Sequence, residues 1–221
     1  MKKETEMDAY QAIDKRRTVR NIKKGVTEEQ LRKLMLAGVK APSGSNVQPW
    51  EFIVIDDPVI IEQLADLKYR QTLKMMIDQM VLDDPGLIER VYTQSLESLP
   101  VERVVVQRNN YLNSAVVAVC NRKGHGIGRK PWMNIENIAS AWMCIQNMAL
   151  AATADGLATQ ISIFREEYKI AVEKLLGIPE EYELTTVLLI GETGEEPGEK
   201  RSGMRPDFSW LHKNNFGASI L

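Results

Sequence analysis

Apolar residues recur at helical spacing in the first 40 residues of the chain. Residues 6–16 place Met7, Tyr10 and Ile13 on one side, which predicts a short helix ahead of a basic segment. Residues 27–40 predict a second helix, because Thr27 is a favourable N-cap and Gln30 stands where a capping box needs it. The chain therefore begins with two amphipathic helices.

The longest apolar pattern spans residues 134–154. Its large apolar residues repeat at helical spacing, and small residues fill the positions between them, so the predicted helix is apolar almost all round. Such a helix belongs in a core or in a dimer interface. Gly156 is expected to end it, because glycine readily adopts the left-handed conformation that follows many helices.

Short stretches dense in β-branched residues predict four strands, at residues 50–55, 115–120, 157–163 and 185–190. A further helix is expected over 166–176. Helices and strands alternate without the regular strand-helix period of a doubly wound sheet, so the pattern predicts an α+β fold.

Residues 58–112 are mostly helical in character, with breaks expected at Pro85 and Pro100. This region holds the methionine-rich stretch 74–80, which we interpret as core or lid packing rather than as a ligand site. From Glu192 onward the composition turns to Gly, Glu, Pro, Lys and Arg, which indicates an extended arm over the surface or a partner.

Composition and charge narrow the function classes. The chain has 221 residues and a net charge of −2, which fits one soluble globular domain and argues against a nucleic-acid-binding protein. The two cysteines, Cys120 and Cys144, lack the spacing of a disulfide framework or zinc site, so a reducing cytoplasm is the expected location. The first ten residues are too charged for a signal peptide, and no run reaches membrane-spanning length.

Familiar side-chain catalytic sets are largely missing from the sequence. The two histidines, His125 and His212, belong to no metal-binding spacing and no recognisable Ser/His/Asp set. The stretch Gly124–Gly128 lacks the final glycine of a dinucleotide fingerprint and reads as a flexible loop. A bound cofactor is therefore expected to supply the reactivity.

Two segments could hold an anionic, planar cofactor. Arg16, Arg17 and Arg20 lie close together beside Thr18, and their forked donors suit a phosphate or a pyrimidine edge. The loop at 42–46 offers hydroxyls, an amide and unshielded backbone that can approach a flat ring. Taken alone, the first segment could equally be a solvated basic face and the second a capped connector.

Together the two segments resemble the nitroreductase superfamily. Residues 16–20, RRTVR, resemble the RRSxR segment of that family, and residues 41–52, APSGSNVQPWEF, resemble its APSxxNxQPWxF loop. Residues 155–158 and 176–179 are similar to the family's "GLG" helix exit and its "LGIP" segment. The tail, with Arg201 and Arg205, is similar to the closing "R-P" element, while about 66–112 forms a divergent helical insert.

The resemblance implies a single nitroreductase-like FMN-binding domain over residues 1–221. Its central, mostly antiparallel sheet would be flanked by helices, and its C-terminal arm would be exchanged over a dimer partner. A homodimer of this kind holds FMN at the subunit interface, takes electrons from NAD(P)H and passes them through flavin N5 to a small acceptor such as a nitroaromatic, quinone or enone.

The resemblance also assigns roles to residues. Arg16 and Arg205 would bind the phosphate, Thr18 and Arg20 would line the ribityl chain and pyrimidine edge, and backbone at 161–163 would approach flavin N5. The 42–48 loop would come from the opposite subunit, and no side chain would be essential for hydride chemistry. The full implied set is Arg16, Arg17, Thr18, Arg20, Pro42, Ser43, Gly44, Asn46, Gln48, Ile161, Ser162, Ile163, Arg201 and Arg205.

The chain departs from the family at Ile163, where many members have glycine. Two alternatives stay open beside the reductase. One is a specialised member of the same fold that dehalogenates an aromatic amino acid or consumes flavin, for which Glu62 and Tyr69 are loosely placed. The other is a non-catalytic FMN-binding regulatory dimer, or an interaction protein without flavin.

Overall fold

A computed structural model describes residues 7–78, 102–124, 131–193 and 211–216 of the chain. Four antiparallel strands form its central sheet, in the order β1-β2-β4-β3. The α+β prediction is confirmed, and each predicted strand is present. The strands are β1 Trp50–Ile55, β2 Ala115–Arg122, β3 Ala158–Ser162 and β4 Tyr182–Gly191.

Six α-helices surround this sheet within the described residues: α1 Ala9–Lys15, α2 Glu28–Gly38, α3 Pro58–Asp78, α4 Glu102–Asn113, α5 Pro131–Ala154 and α6 Glu166–Leu175. The predicted capping box of α2 is confirmed, since the Thr27 hydroxyl accepts from the Gln30 amide at 3.3 Å and the Gln30 side chain accepts from the Thr27 amide at 2.9 Å. Asp8 and Gln11 cap α1 in the same way. None of the described helices is long and apolar enough to cross a membrane.

Both faces of the sheet are buried. On β2, Val116, Ala118 and Cys120 enter one apolar cluster, while Val117 and Val119 enter the other. Alternate side chains of a strand point to opposite faces, so a strand covered on both sides must be apolar throughout. This explains why residues 115–120 of β2 form a continuous apolar run. Cys120 and Cys144 are buried free thiols.

The helical prediction for 58–112 is confirmed where the structure describes it, at α3 and α4. Arg108 of α4 joins the two helices, with its guanidinium 2.8 Å from Glu62 and 3.1 Å from Asp66 of α3. Pro85 and Pro100 lie outside the described residues. Helix α3 also packs against α6, so its inner face reaches the turn that follows β3.

Gly191, at the end of β4, admits no side chain. A Cβ there would lie 2.3 Å from the Lys24 carbonyl oxygen, which itself accepts from the Glu192 amide at 2.7 Å. We expect Gly191→Ala to lower the free energy of unfolding by about 3 kcal/mol, because backbone cannot rotate away from the overpacked methyl.

Gly156→Ala is the matched control for Gly191→Ala. Gly156 has open space around its Cβ position and a φ of +73°, so alanine there meets only conformational strain. The expected loss is about 1 kcal/mol. Denaturant unfolding of both variants checks the difference, and an equal loss in the two would show that the contact at Gly191 relaxes freely.

Candidate functional site

The arginine segment lies along β3. Thr18 forms a parallel bridge with Thr159, and the Val19 amide donates to the Thr159 carbonyl at 3.0 Å. Further along, Lys24 bridges Glu192 beyond the end of β4. The segment therefore adds a short extended stretch beside the β3 edge of the sheet, which places its side chains close to the residues predicted to approach the flavin.

Arg16, Thr18 and Arg20 lie at the surface of this stretch, with Arg16 half-buried. Arg17 is turned back onto its own helix, where its guanidinium donates to the carbonyls of Asp14 and Arg16. Its Nε is buried and has no hydrogen-bond partner among the described residues. Arg17 thus anchors the C-terminal end of α1 and leaves one buried donor unused.

The proline-serine loop is a strained turn before β1. A 3₁₀ turn spans Gly44–Asn46, and Ser45, Asn46 and Gln48 all have positive φ, between 47° and 57°. The Ser43 hydroxyl accepts from the Gln48 amide at 3.0 Å, and the Gln48 side chain donates to Asn46 Oδ1 at 3.2 Å. Non-glycine residues with positive φ store backbone strain, and such strain is concentrated at functional sites. The backbone of this loop therefore has a feature that is common in binding loops.

The exit of β3 is held by buried hydroxyls. Tyr111 of α4 donates to Ser162 Oγ at 2.6 Å, and Thr186 of β4 donates to the Ser162 carbonyl at 3.0 Å. The side chain of Ile163, in contrast, is 39% exposed. Burial raises the pKa of Tyr111 far above its usual value, so its hydroxyl stays a neutral donor. The Ser162 backbone is therefore fixed from inside the protein, while Ile163, the next residue, is partly exposed.

No sequence motif points to Lys68 and Gln71 of α3, yet both reach this exit. Lys68 Nζ donates to the Ile163 carbonyl at 2.8 Å, and Gln71 Nε2 donates to the same oxygen at 3.0 Å. The Gln71 carbonyl oxygen accepts from the Arg165 amide at 2.8 Å. More than 90 residues of chain separate these partners, so only the fold brings them together.

Within one chain, the arginine segment and the loop lie on opposite edges of the sheet. The loop leads into β1, while the segment lies beyond β3, four strand spacings away. At about 4.8 Å per spacing this is roughly 19 Å. Within a single chain, the arginine segment and the loop therefore do not meet in one site.

Two predicted site residues, Arg201 and Arg205, lie outside the described residues, as does His125. The remaining predicted site residues lie within the described residues. Glu62 is paired with Arg108 and Tyr69 is only 2% exposed, so these two do not form an open clasp for an amino-acid substrate. In the part of the chain that is described, no group of His, Cys, Asp and Glu could hold a metal ion.

Comparisons with known proteins agree on one family. The family model described as "Nitroreductase family" matches residues 13–192. Protein DrgA of Synechocystis sp. is 28% identical over 203 residues, covering 89% of this chain and 90% of that protein. Iodotyrosine deiodinase of Thermotoga neapolitana is 28% identical over 189 residues, covering 82% and 87%.

Solved structures share the fold at low sequence identity. Oxidised iodotyrosine deiodinase bound to FMN and 3-iodo-L-tyrosine superposes with a TM-score of 0.67 at 21% identity, covering 89% of this chain and 96% of that one. At this identity the likeness concerns the fold alone. The α+β architecture with its antiparallel sheet is thus that of nitroreductase-like proteins.

Proposed function

Because the chain belongs to the nitroreductase family, we propose that it is a homodimeric FMN-dependent oxidoreductase that carries electrons from NAD(P)H to a small organic acceptor. Relatives named NAD(P)H nitroreductase and an FMN-bound relative of the same fold support this class of reaction. The observation that carries the proposal is the position of the arginine segment beside β3, the strand that leads to the partly exposed Ile163.

The donor set fits the phosphate end of FMN. A phosphate group carries roughly two negative charges at neutral pH, and convergent guanidinium groups neutralise it through forked hydrogen bonds. Arg16 and Arg20 lie on one short extended stretch, and the buried Nε of Arg17 lacks a partner within the described ranges. We assign the phosphate to Arg16 together with Arg205 of the tail, and the pyrimidine edge to Arg20.

The exit of β3 fits the reactive end of the flavin. Bound FMN would supply the electron transfer at its N5 position, so the protein needs no reactive side chain there. Thr186 polarises the Ser162 carbonyl, which belongs to the same peptide group as the Ile163 amide. Ile163 replaces a glycine found in many relatives, and its half-exposed side chain would limit which acceptors stack against the ring.

A second copy of the chain would complete the site. The exposed side of α5 carries an apolar stripe, Trp132, Ile135, Ala139 and Met143, of which Ile135 is 66% exposed. The loop packs beside this stripe, since the Gly44 Cβ position lies 3.3 Å from the Glu136 carboxylate of α5.

Contiguous exposed apolar surface marks interaction sites. Helix α1, which precedes the arginine segment, also packs on α5. Pairing two copies along the α5 stripe is therefore our proposal for bringing the loop of one chain to the arginine segment of the other.

The flavin content of the purified protein tests this function. We expect a yellow protein with one FMN per chain whose absorption bleaches anaerobically on addition of NADH or NADPH and returns on addition of a quinone, nitroaromatic or enone. A flavin that binds but is not reduced would indicate a non-catalytic FMN-binding dimer. Colourless protein that does not bind added FMN would exclude the proposal.

A further inference from the structure

Helix α3 binds the exit of β3 through polar contacts. Lys68 and Gln71 both donate to the Ile163 carbonyl, at 2.8 Å and 3.0 Å. Gln71, which is 2% exposed, also binds the Arg165 amide. One turn further along α3, Lys74 lies 2.7 Å from Glu167 at the start of α6. The turn between β3 and α6 is thus held at four points by one helix.

Lys68 is the charged one of the two residues that donate to the Ile163 carbonyl. Its Nζ lies 5.5 Å from the centre of the Phe164 ring, and Phe164 is 4% exposed. Burial, followed by repulsion from Arg165, lowers the pKa of Lys68 to about 8. A cation directed at a carbonyl in a partly desolvated place acts more strongly on nearby charge than a surface lysine does.

We propose that Lys68 is a positioning residue for bound FMN, which fixes the Ile163 backbone at the flavin N5 edge and whose ammonium raises the reduction potential of the flavin. The proposal rests on the proposed function, because it needs FMN beside Ile163. Positive charge near a group that gains negative charge stabilises the charged product. Reduction of the flavin adds electrons at this edge, so the Lys68 charge favours the reduced form.

The other charges around Lys68 are engaged elsewhere. On α6, Glu167 is paired with Lys74, and on α3 and α4 the carboxylates of Glu62 and Asp66 are paired with Arg108. Arg165, on the turn after β3, repels Lys68 and favours loss of its proton. The Tyr111 hydroxyl from α4 stays neutral. Of these described residues, Lys68 is therefore the group whose lowered pKa brings its charge change close to neutral pH.

The charge of Lys68 sets the sign of the pH dependence of the flavin potential. Lys68 carries its charge below its pKa of about 8 and loses it above that value. Its contribution to the potential is therefore complete at mildly acidic pH and fades as the pH rises through 8. Reduction of the flavin would also raise the pKa of Lys68, since the new negative charge favours the ammonium form.

The test is the midpoint potential of FMN in the holoprotein, measured anaerobically against reference dyes from well below pH 8 to well above it. Lys68→Met removes the charge, while Gln71 still holds the Ile163 carbonyl. We expect a more negative potential than the wild type below pH 8, and the two potentials should become equal only above the raised pKa that Lys68 has beside the reduced flavin. Lys68→Arg should keep the higher potential at every pH, because guanidinium does not lose its proton in this range.

Lys74→Met is the matched control, since it removes a lysine charge about two turns away on the same helix. It should leave the pH dependence of the potential unchanged. Equal potentials for the wild type and Lys68→Met across the pH range would overturn the proposal. Retention of the wild-type pH dependence in Lys68→Arg would also overturn it. This second variant keeps the test decisive if the methionine variant folds poorly. Wild-type protein that binds no FMN would instead contradict the proposed function.

Discussion

Replacing Arg16 and Arg205 together by alanine should weaken FMN binding by more than about a hundredfold. A hydrogen bond to a charged group contributes about 1.5–3 kcal/mol, and every 1.4 kcal/mol is roughly tenfold in affinity. Arg17 does not replace the lost guanidinium groups, because its own guanidinium is already engaged by the carbonyls of Asp14 and Arg16. Titration of the apoprotein with FMN, followed by quenching of flavin fluorescence, measures the effect.

Arg32→Ala provides the control for the loss of positive charge. Arg32 is exposed on α2, where it pairs with Glu28 at 3.1 Å, away from β3. Its removal should leave FMN affinity unchanged within about twofold. Unchanged affinity in the Arg16 and Arg205 double variant would show that the phosphate binds elsewhere, and the arginine segment would then be a solvated basic face.

Local pattern predicted the elements of this fold well and their ends less well. Strand β1 has the predicted bounds, because its aromatic and β-branched residues are flanked by a turn on one side and by Asp56 and Asp57 on the other. Strand β4 begins three residues before the predicted start. Its first residues include Glu183, whose carboxylate accepts from Lys169 at 2.7 Å, and an apolar pattern cannot reveal a polar strand end that is satisfied by tertiary contacts.

The ends of two other elements were wrong for identifiable reasons. Strand β3 is one residue shorter at each end than the predicted 157–163, since the Leu157 amide donates to the Ala152 carbonyl of α5 and the Ile163 carbonyl turns to Lys68 and Gln71. Helix α5 begins at Pro131, ahead of the predicted start at 134. Proline is favoured in the first turn of a helix, and the preceding polar stretch obscured this start.

The candidate site, too, was predicted from the sequence only in part. The arginine segment and the strained loop were recognisable because each is a contiguous motif. The sequence could not show that they lie on opposite edges of one sheet, since that depends on strand order. Lys68 and Gln71 were missed because helical lysine and glutamine are ordinary surface residues until tertiary contacts bury them.

The distance between the arginine segment and the loop leads to the second prediction with a large expected effect, which concerns the FMN content of mixed dimers. Consider one chain with Arg16→Ala and Arg205→Ala, and a second chain with Ser43→Ala and Asn46→Ala, which removes the hydrogen bonds that hold Gln48 in the loop. If each FMN binds between the arginine segment of one chain and the loop of its partner, one of the two sites in the mixed dimer carries every substitution. The other site carries none.

The FMN content of that mixed dimer, purified through a different affinity tag on each chain, tests the two-chain site most directly. Each variant alone should retain little FMN, because both of its sites are damaged. We expect one tightly bound FMN per mixed dimer, with wild-type affinity. A mixed dimer that retains no more FMN than either parent variant would contradict it, since that result means that each chain builds its own site.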